Sequence, residues 1–464
     1  MPPRRIVHEA PRLKHVGRVA GSNLLTIQGG QRLQGIVQVS GAKNAALPIM
    51  AAALLADEPV CLYRVPCLID VDTLTSVLRR LGMSVERDGS EKLTLATVNP
   101  RRFHTGYAHV RRMRASFCVL GPLLARRRRA VVSLPGGCHI GPRPIDLHLR
   151  GLEALGADLR IERGHVFARA RRLHGAKIDL AGPCGPTVTG TANVMSAAVL
   201  ARGVTTITSA AVEPEIVDLG RFLNRCGASI EGLGTTTLTI RGVDQLGGAD
   251  HQVIPDRIEA ATLLMAGAVT GGRVVVAGAK ASHMKAVLEE LDASGYHLEV
   301  DHQSVSLSTG PRVSARDIVA RPYPGVPTDV QAQWTALLSL TPGRSRVVDS
   351  VFPQRFQHVA ELQRLGADAR VDGASAVIRG VPGLQGAPVR ATDLRAGAAL
   401  VLAGLAAQGE TTVSGLPHLD RGYEALDRKL ARLGADIRRE ELSASQPLTS
   451  QPTPLRPSFS QSNS

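Results

Sequence analysis

The chain has 464 residues, enough for two or three domains with a large core and no need of disulfides. Hydrophobic residues make up 44% but aromatics only 3%, so the core must be aliphatic, and no stretch nears the ~18 uninterrupted apolar residues of a membrane span. The net charge of +15 raises nucleic acid as a partner, yet stacking rings are few and a small acidic substrate explains part of the excess equally well. Six cysteines form no Cys-x-x-Cys pair and show no zinc-like histidine spacing, and no secretory apolar block opens the chain. A cytoplasmic protein with reduced thiols is expected, with no metal or other cofactor, no nucleic-acid or membrane partner, and a monomeric or weakly oligomeric state.

Taken in order, residues 1–23 read as a disordered basic tail and 442–464 as a disordered Ser/Pro/Gln tail. Between them one unit recurs: a helix-like segment ends in glycine and a strand-like segment follows. The glycines are Gly82, Gly156, Gly227, Gly295, Gly366 and Gly434, spaced 74, 71, 68, 71 and 68 residues apart. Each unit also carries a second helix, apolar on nearly every side, as at 49–56, 192–201 and 398–407; such helices belong inside a domain. Six units exceed one ordinary domain, so the pattern predicts two domains of three units, with a ligand in the cleft between them.

Chemistry gathers where the repeats are interrupted. Ser40-Gly-Ala-Lys-Asn-Ala-Ala46 sets Lys43 and Asn44 before an apolar helix; the lysine is either an anion ligand at the helix N-terminus or a solvated cap. Met113-Arg-Ala-Ser116 holds Arg114 at the mouth of another. Leu134-Pro-Gly-Gly-Cys-His-Ile-Gly-Pro-Arg-Pro144 presents Cys138 in a glycine loop five residues from Arg143, where positive charge favours the thiolate; read alone, it is equally a tight turn with an inert thiol. Thr328-Asp329 precedes a helix, so Asp329 is either an N-cap or a carboxylate aimed into the cleft as a base. Arg355, Asp393, Arg395 and Arg421 stand at the edges of the last units. Several arginines, a lysine and two aspartates describe a site for a phosphate-bearing acid.

With these motifs, together with Glu213-Pro-Glu-Ile-Val-Asp218, Thr392-Asp-Leu-Arg-Ala and Asp420-Arg-Gly-Tyr-Glu424, the chain resembles the UDP-N-acetylglucosamine 1-carboxyvinyltransferases from about residue 24 to 441. These enolpyruvyl transferases open peptidoglycan precursor synthesis. The resemblance implies a two-domain inside-out α/β barrel of six units. One domain would comprise 24–42 plus 252–441 and the other 43–251. It also implies roles. Lys43, Arg143, Arg395 and Arg421 would hold phosphoenolpyruvate, with Arg114 and Arg355 adding positive charge. Cys138 would assist proton transfer and product release, and Asp329 would deprotonate the attacking hydroxyl. Asn44 and Val351 would seat the acceptor sugar and Asp393 would line the site. Arg143, Pro144, Ile145, Asp146 and Leu147, with Thr187 and Thr189, would cradle a uridine nucleotide. One motif departs: the family's Phe-Glu-Asn-Arg is here Phe352-Pro353-Gln354-Arg355, and the lost acid bears on charge balance and acceptor choice. Two other readings follow from the resemblance. One is the same chemistry on uridine monophosphate, as in nikkomycin- and polyoxin-type pathways; the other is a non-catalytic nucleotide-binding relative, against which the intact Lys43, Cys138, Asp329, Arg395 and Arg421 count.

Overall fold

A computed structural model describes residues 23–89, 92–105, 113–134, 144–183 and 185–441. The two tails, the cysteine loop with Cys138 and Arg143, and the side chain of Arg114 lie outside the described residues.

All six repeat glycines have positive φ, between 81° and 101°, a conformation that costs a glycine little and ends each surface helix before its strand. The apolar helices are buried on every side. Lys43–Ala52 packs with the 3-10 turn Arg114–Val119 and with Val188–Ala198. Arg257–Val269, Gln331–Leu338 and Leu394–Ala406 pack on one another. Around these helices lie six separate small sheets, so the fold is α/β and inside out, with helices central and strands outside. Two hydrophobic clusters result. One draws on residues from Ala42 to Val253, the other on Leu25 to Val39 and Ile258 to Ile437.

The four-stranded sheets follow one order. In the fifth it runs Ile318–Ala320, Arg344–Asp349, Ser375–Arg379, Asp368–Asp372: a short parallel strand, the strand after the buried helix, then an antiparallel hairpin. Distant strands complete three of the sheets. Asn23–Gln28 enters the last sheet between Glu410–Ser414 and Asp436–Glu441, antiparallel to both. Gln34–Gln38 pairs in parallel with Arg273–Ala277, and Asp250–Gln252 in parallel with Val60–Tyr63. The chain therefore crosses between the clusters twice, near residue 40 and near residue 255. Among the described residues the second sheet has three strands, with a single bridge from His104 to Val131 at its outer position.

Candidate active site

The two crossings are tied to each other. Ala42 N donates to Ile254 O at 2.7 Å and Asp256 N to Ser40 O at 2.9 Å. The backbones come so close at Gly41 that a Cβ there would stand 1.8 Å from Arg64 O, so no other residue fits. Asp256 caps the helix Arg257–Val269 by accepting from Ile258 N and Glu259 N, and also accepts from Lys43 N at 3.3 Å. Buried ion pairs surround the crossings: Arg257 Nε donates to Glu215 Oε1 at 2.9 Å, and Lys429 Nζ to Glu259 Oε1 at 2.5 Å. Asp218 accepts from Ile254 N at 3.2 Å and lies 3.1 Å from His251 Nε2. Glu215 and Asp218 of the Glu213–Asp218 motif thus hold the second crossing.

Beside the crossings, side chains of both clusters meet. Asp329 accepts from Arg355 Nη1 at 2.9 Å, from Arg395 Nη2 at 3.1 Å and, from the other cluster, from Asn44 Nδ2 at 3.3 Å. It makes no capping bond to the following helix, so the N-cap reading of this residue is not what its geometry supports. Burial alone would raise its pKa, but Arg395, Arg355 and Lys43 together hold the carboxyl well below the usual range. Arg395 is buried against the ring of Tyr423, and Tyr423 Oη bonds Thr262 and Gln333 at 2.9 Å each, which fixes the floor under the guanidinium. Only one edge of Arg395 is engaged: Nε and Nη1 are buried with no partner among the described residues. Buried guanidinium donors are expensive to leave unpaired, so this group is built for an anion.

Lys43 is the first residue of its helix and is buried, not solvated. Nζ donates to Asp70 Oδ2 at 3.2 Å, and Arg421 Nε reaches Asp70 Oδ1 at 2.8 Å from the other cluster. Burial lowers the Lys43 pKa and Asp70 opposes that shift. Asp70 gave no motif signal; its one trace in the sequence is an acid placed in register with Leu74, Val77 and Leu78 on the buried face of Ile69–Arg80. Asp393 accepts from Arg395 N and Ala396 N, so it caps the helix that carries Arg395 and positions that arginine from below.

Of the residues expected to cradle a nucleotide, Pro144–Leu147, Thr187 and Thr189 are described. Asp146 opens the helix Asp146–Ala154 just after Pro144 and Ile145, and Thr187 caps Val188–Ala198 by accepting from Gly190 N at 3.1 Å. His148 joins the two helix starts, 3.1 Å from Thr189 Oγ1 and 3.0 Å from Asn193 Nδ2. Leu147 packs at Gly182, and Gly185 abuts Pro322 of the other cluster. Val351 N and Phe352 N donate to Asp349 Oδ1 at 2.9 and 2.7 Å. The departing pair Pro353-Gln354 is exposed, whereas Arg355 next to it is buried on Asp329. Among the described residues no group of His, Cys, Asp and Glu could hold a metal, and no helix is long and apolar enough to cross a membrane.

The profile of the EPSP synthase family (3-phosphoshikimate 1-carboxyvinyltransferase) matches residues 27–430. The chain is 50% identical over 420 residues to the UDP-N-acetylglucosamine 1-carboxyvinyltransferase of Akkermansia muciniphila, covering 89% of this chain and 98% of that one. The enzyme of the same name from Myxococcus xanthus is 51% identical, with 90% and 99% covered. Among solved structures, the enolpyruvyl transferase NikO from Streptomyces tendae superposes with a TM-score of 0.82 at 28% identity, over 91% of this chain and 100% of that one. An EPSP synthase from Acinetobacter baumannii, at 18% identity and a TM-score of 0.71 over 90% and 100%, shares the fold.

Proposed function

Since the chain belongs to the EPSP synthase family of carboxyvinyltransferases, we propose that it moves the enolpyruvyl group of phosphoenolpyruvate to the sugar 3'-hydroxyl of UDP-N-acetylglucosamine, releasing phosphate. The observation that carries this reading is the half-engaged Arg395 beside Asp329, at the seam of the two clusters. We take those clusters as the two domains that close on substrate.

In this reading Arg395, Lys43 and Arg421 receive the phosphate and carboxylate, and Arg143 of the cysteine loop joins them. The two carboxylates now paired with these cations, Asp329 and Asp70, stand in for the substrate's charge. An arriving anion draws positive charge away from Asp329, so its pKa rises and it becomes a better base as the substrate binds. The acceptor hydroxyl loses its proton to Asp329 and attacks the carbon bearing phosphate, while the methylene carbon takes a proton with help from Cys138. The tetrahedral ketal then loses a proton from that methyl group and expels phosphate, which the cations stabilise as it leaves. The nucleotide lies along Pro144–Leu147, Thr187 and Thr189.

The identity of about 50% to the nucleotide-sugar enzymes favours that acceptor over uridine monophosphate, as does Asn44 held at Asp329. Phosphate release from phosphoenolpyruvate should require UDP-N-acetylglucosamine; release with uridine monophosphate alone would overturn this choice. Asn44→Ala should cost about 1–3 kcal/mol of nucleotide-sugar binding, through a polar group left unpaired.

A further inference from the structure

The positive charge of this protein is not spread evenly. Residues 101–172 hold sixteen arginines and four acids, a net +12 of the chain's +15. Twelve of those arginine side chains lie among the described residues. This is the unit whose sheet has three strands among the described residues.

Its outward face carries arginines and rings together. Arg129 and Arg169 are direct cross-strand partners, as are Val131 and Phe167, and Phe167 and Arg160. The fifth sheet repeats the arginine pair, with Arg344 opposite Arg379 and Asp368 beside it, so the charge pattern alone does not set this face apart. Outward arginines elsewhere also meet acids: Arg273 with Glu299 at 3.1 Å, Arg346 with Asp372, and Arg438 with Asp436 at 3.5 Å. Here Asp158 is adjacent to Arg169 in the ladder and 3.9 Å from Arg160, and Glu162 faces His165, at the outer strand. Rings run across the same face. His104 and His165 lie 5.9 Å apart between centroids, and His165 and Phe167 6.3 Å. The Arg129 guanidinium sits 4.0 Å from the centre of the Phe103 ring. Phe167 is 39% exposed in a chain that has seven phenylalanines.

We infer that this face, with the ring row His104, His165 and Phe167 flanked by Arg129, Arg160 and Arg169, binds single-stranded nucleic acid. Bases stack on the rings and phosphates meet the guanidinium groups, the combination that serves sequence-tolerant binding on other sheets. An anionic lipid surface would answer the arginines but leave the rings without a role, because two of the three are imidazoles that gain little in hydrocarbon. The low aromatic content of the whole chain hides this surface, since what matters is that the rings share one face with the arginines. The inference is independent of the enzymatic reading.

The test is fluorescence anisotropy of the full chain with labelled RNA and DNA single strands of about 15 nucleotides, long enough for one such site. Binding in the micromolar range near physiological salt is expected for both, with a log–log salt slope of about −2 for three phosphate contacts. Phe167→Ala should weaken binding about 5- to 100-fold, and Phe167→Tyr should restore it. Arg169→Ala should reduce the slope by about 0.7, whereas Arg370→Ala, an equal charge change on another sheet, should not. Phosphate release should be unchanged in every variant. Phe167→Leu binding as well as wild type, Arg370→Ala matching Arg169→Ala, or duplex binding as tight as single-strand binding would each overturn the inference. So would capture by phosphatidylserine vesicles with no oligonucleotide binding.

Discussion

Asp329→Asn keeps the shape of a side chain and removes its charge, so it separates the two things Asp329 is proposed to do. The carboxylate occupies one edge of Arg395, at 3.1 Å, and takes Arg355 at 2.9 Å. A phosphate on the other edge of that guanidinium would lie about 6 Å away, where an effective dielectric near 20 gives a repulsion of about 3 kcal/mol per unit charge. The Asp329 side chain is 25% exposed, and solvent screening reduces the repulsion to about 1–2 kcal/mol. Phosphoenolpyruvate should therefore bind the variant about 5- to 30-fold more tightly, while loss of the base lowers turnover by about 10²–10⁴-fold. Calorimetric titration reads the first quantity and phosphate release the second. The pH dependence follows from the depressed carboxyl. Its contribution to stability is present above the unfolded pKa of about 3.9 and is lost as pH falls through the lower folded value, so the variant should lack that acid limb. Weaker or unchanged phosphoenolpyruvate binding, or turnover within a few-fold of wild type, would refute the counter-ion and base argument together.

Further expectations concern a buried ion pair at the second crossing, a buried histidine and the cysteine loop. Arg257→Ala strands buried Glu215 and should cost about 3–5 kcal/mol in urea unfolding, while the double change Arg257→Met with Glu215→Leu should cost much less; equal losses would mean that the pair is not coupled. Burial pushes His358 down to about 4, so it is neutral when folded and charged when unfolded between that value and ~6.5. Its share of stability is present above ~6.5 and lost as pH falls toward 4, so His358→Gln should flatten the melting temperature across that window. Fosfomycin, a small epoxide phosphonate, should alkylate Cys138 ahead of the other five cysteines, and peptide mass mapping that finds Cys138 unmodified after full inactivation would disprove it. Cys138→Asp should resist the reagent and keep part of the turnover, because a carboxyl still carries a proton.

Much of this molecule is written locally. The glycine period sets six left-handed helix ends, because that backbone geometry is a property of one residue and its neighbours. The wholly apolar helices became the buried ones for the same reason: a helix without a polar face has nowhere else to go. Lys43, Asp329, Arg355, Arg395 and Arg421 were legible as charge at unit edges, Asn44 as a polar residue beside Lys43, and a shared family pattern gathered them before any coordinates did.

Other features depended on pairings hundreds of residues apart, which no window of sequence contains. That Asn23–Gln28 lies between Glu410–Ser414 and Asp436–Glu441 follows from a gap between two strands at the far end of the chain. Asp70 looked like an ordinary acid in a first helical turn, and only the approach of Arg421 from the other cluster made it a shared counter-ion of two cations. Asp393 also caps the Arg395 helix, a role that rests on where two backbone N–H groups point. The exposed rings and arginines of the second sheet were scattered in the sequence, and strand register put them on one face. Local propensity determines which elements form and where they stop; burial and long-range register decide which side chains meet, because their energies arise only once the chain has closed on itself.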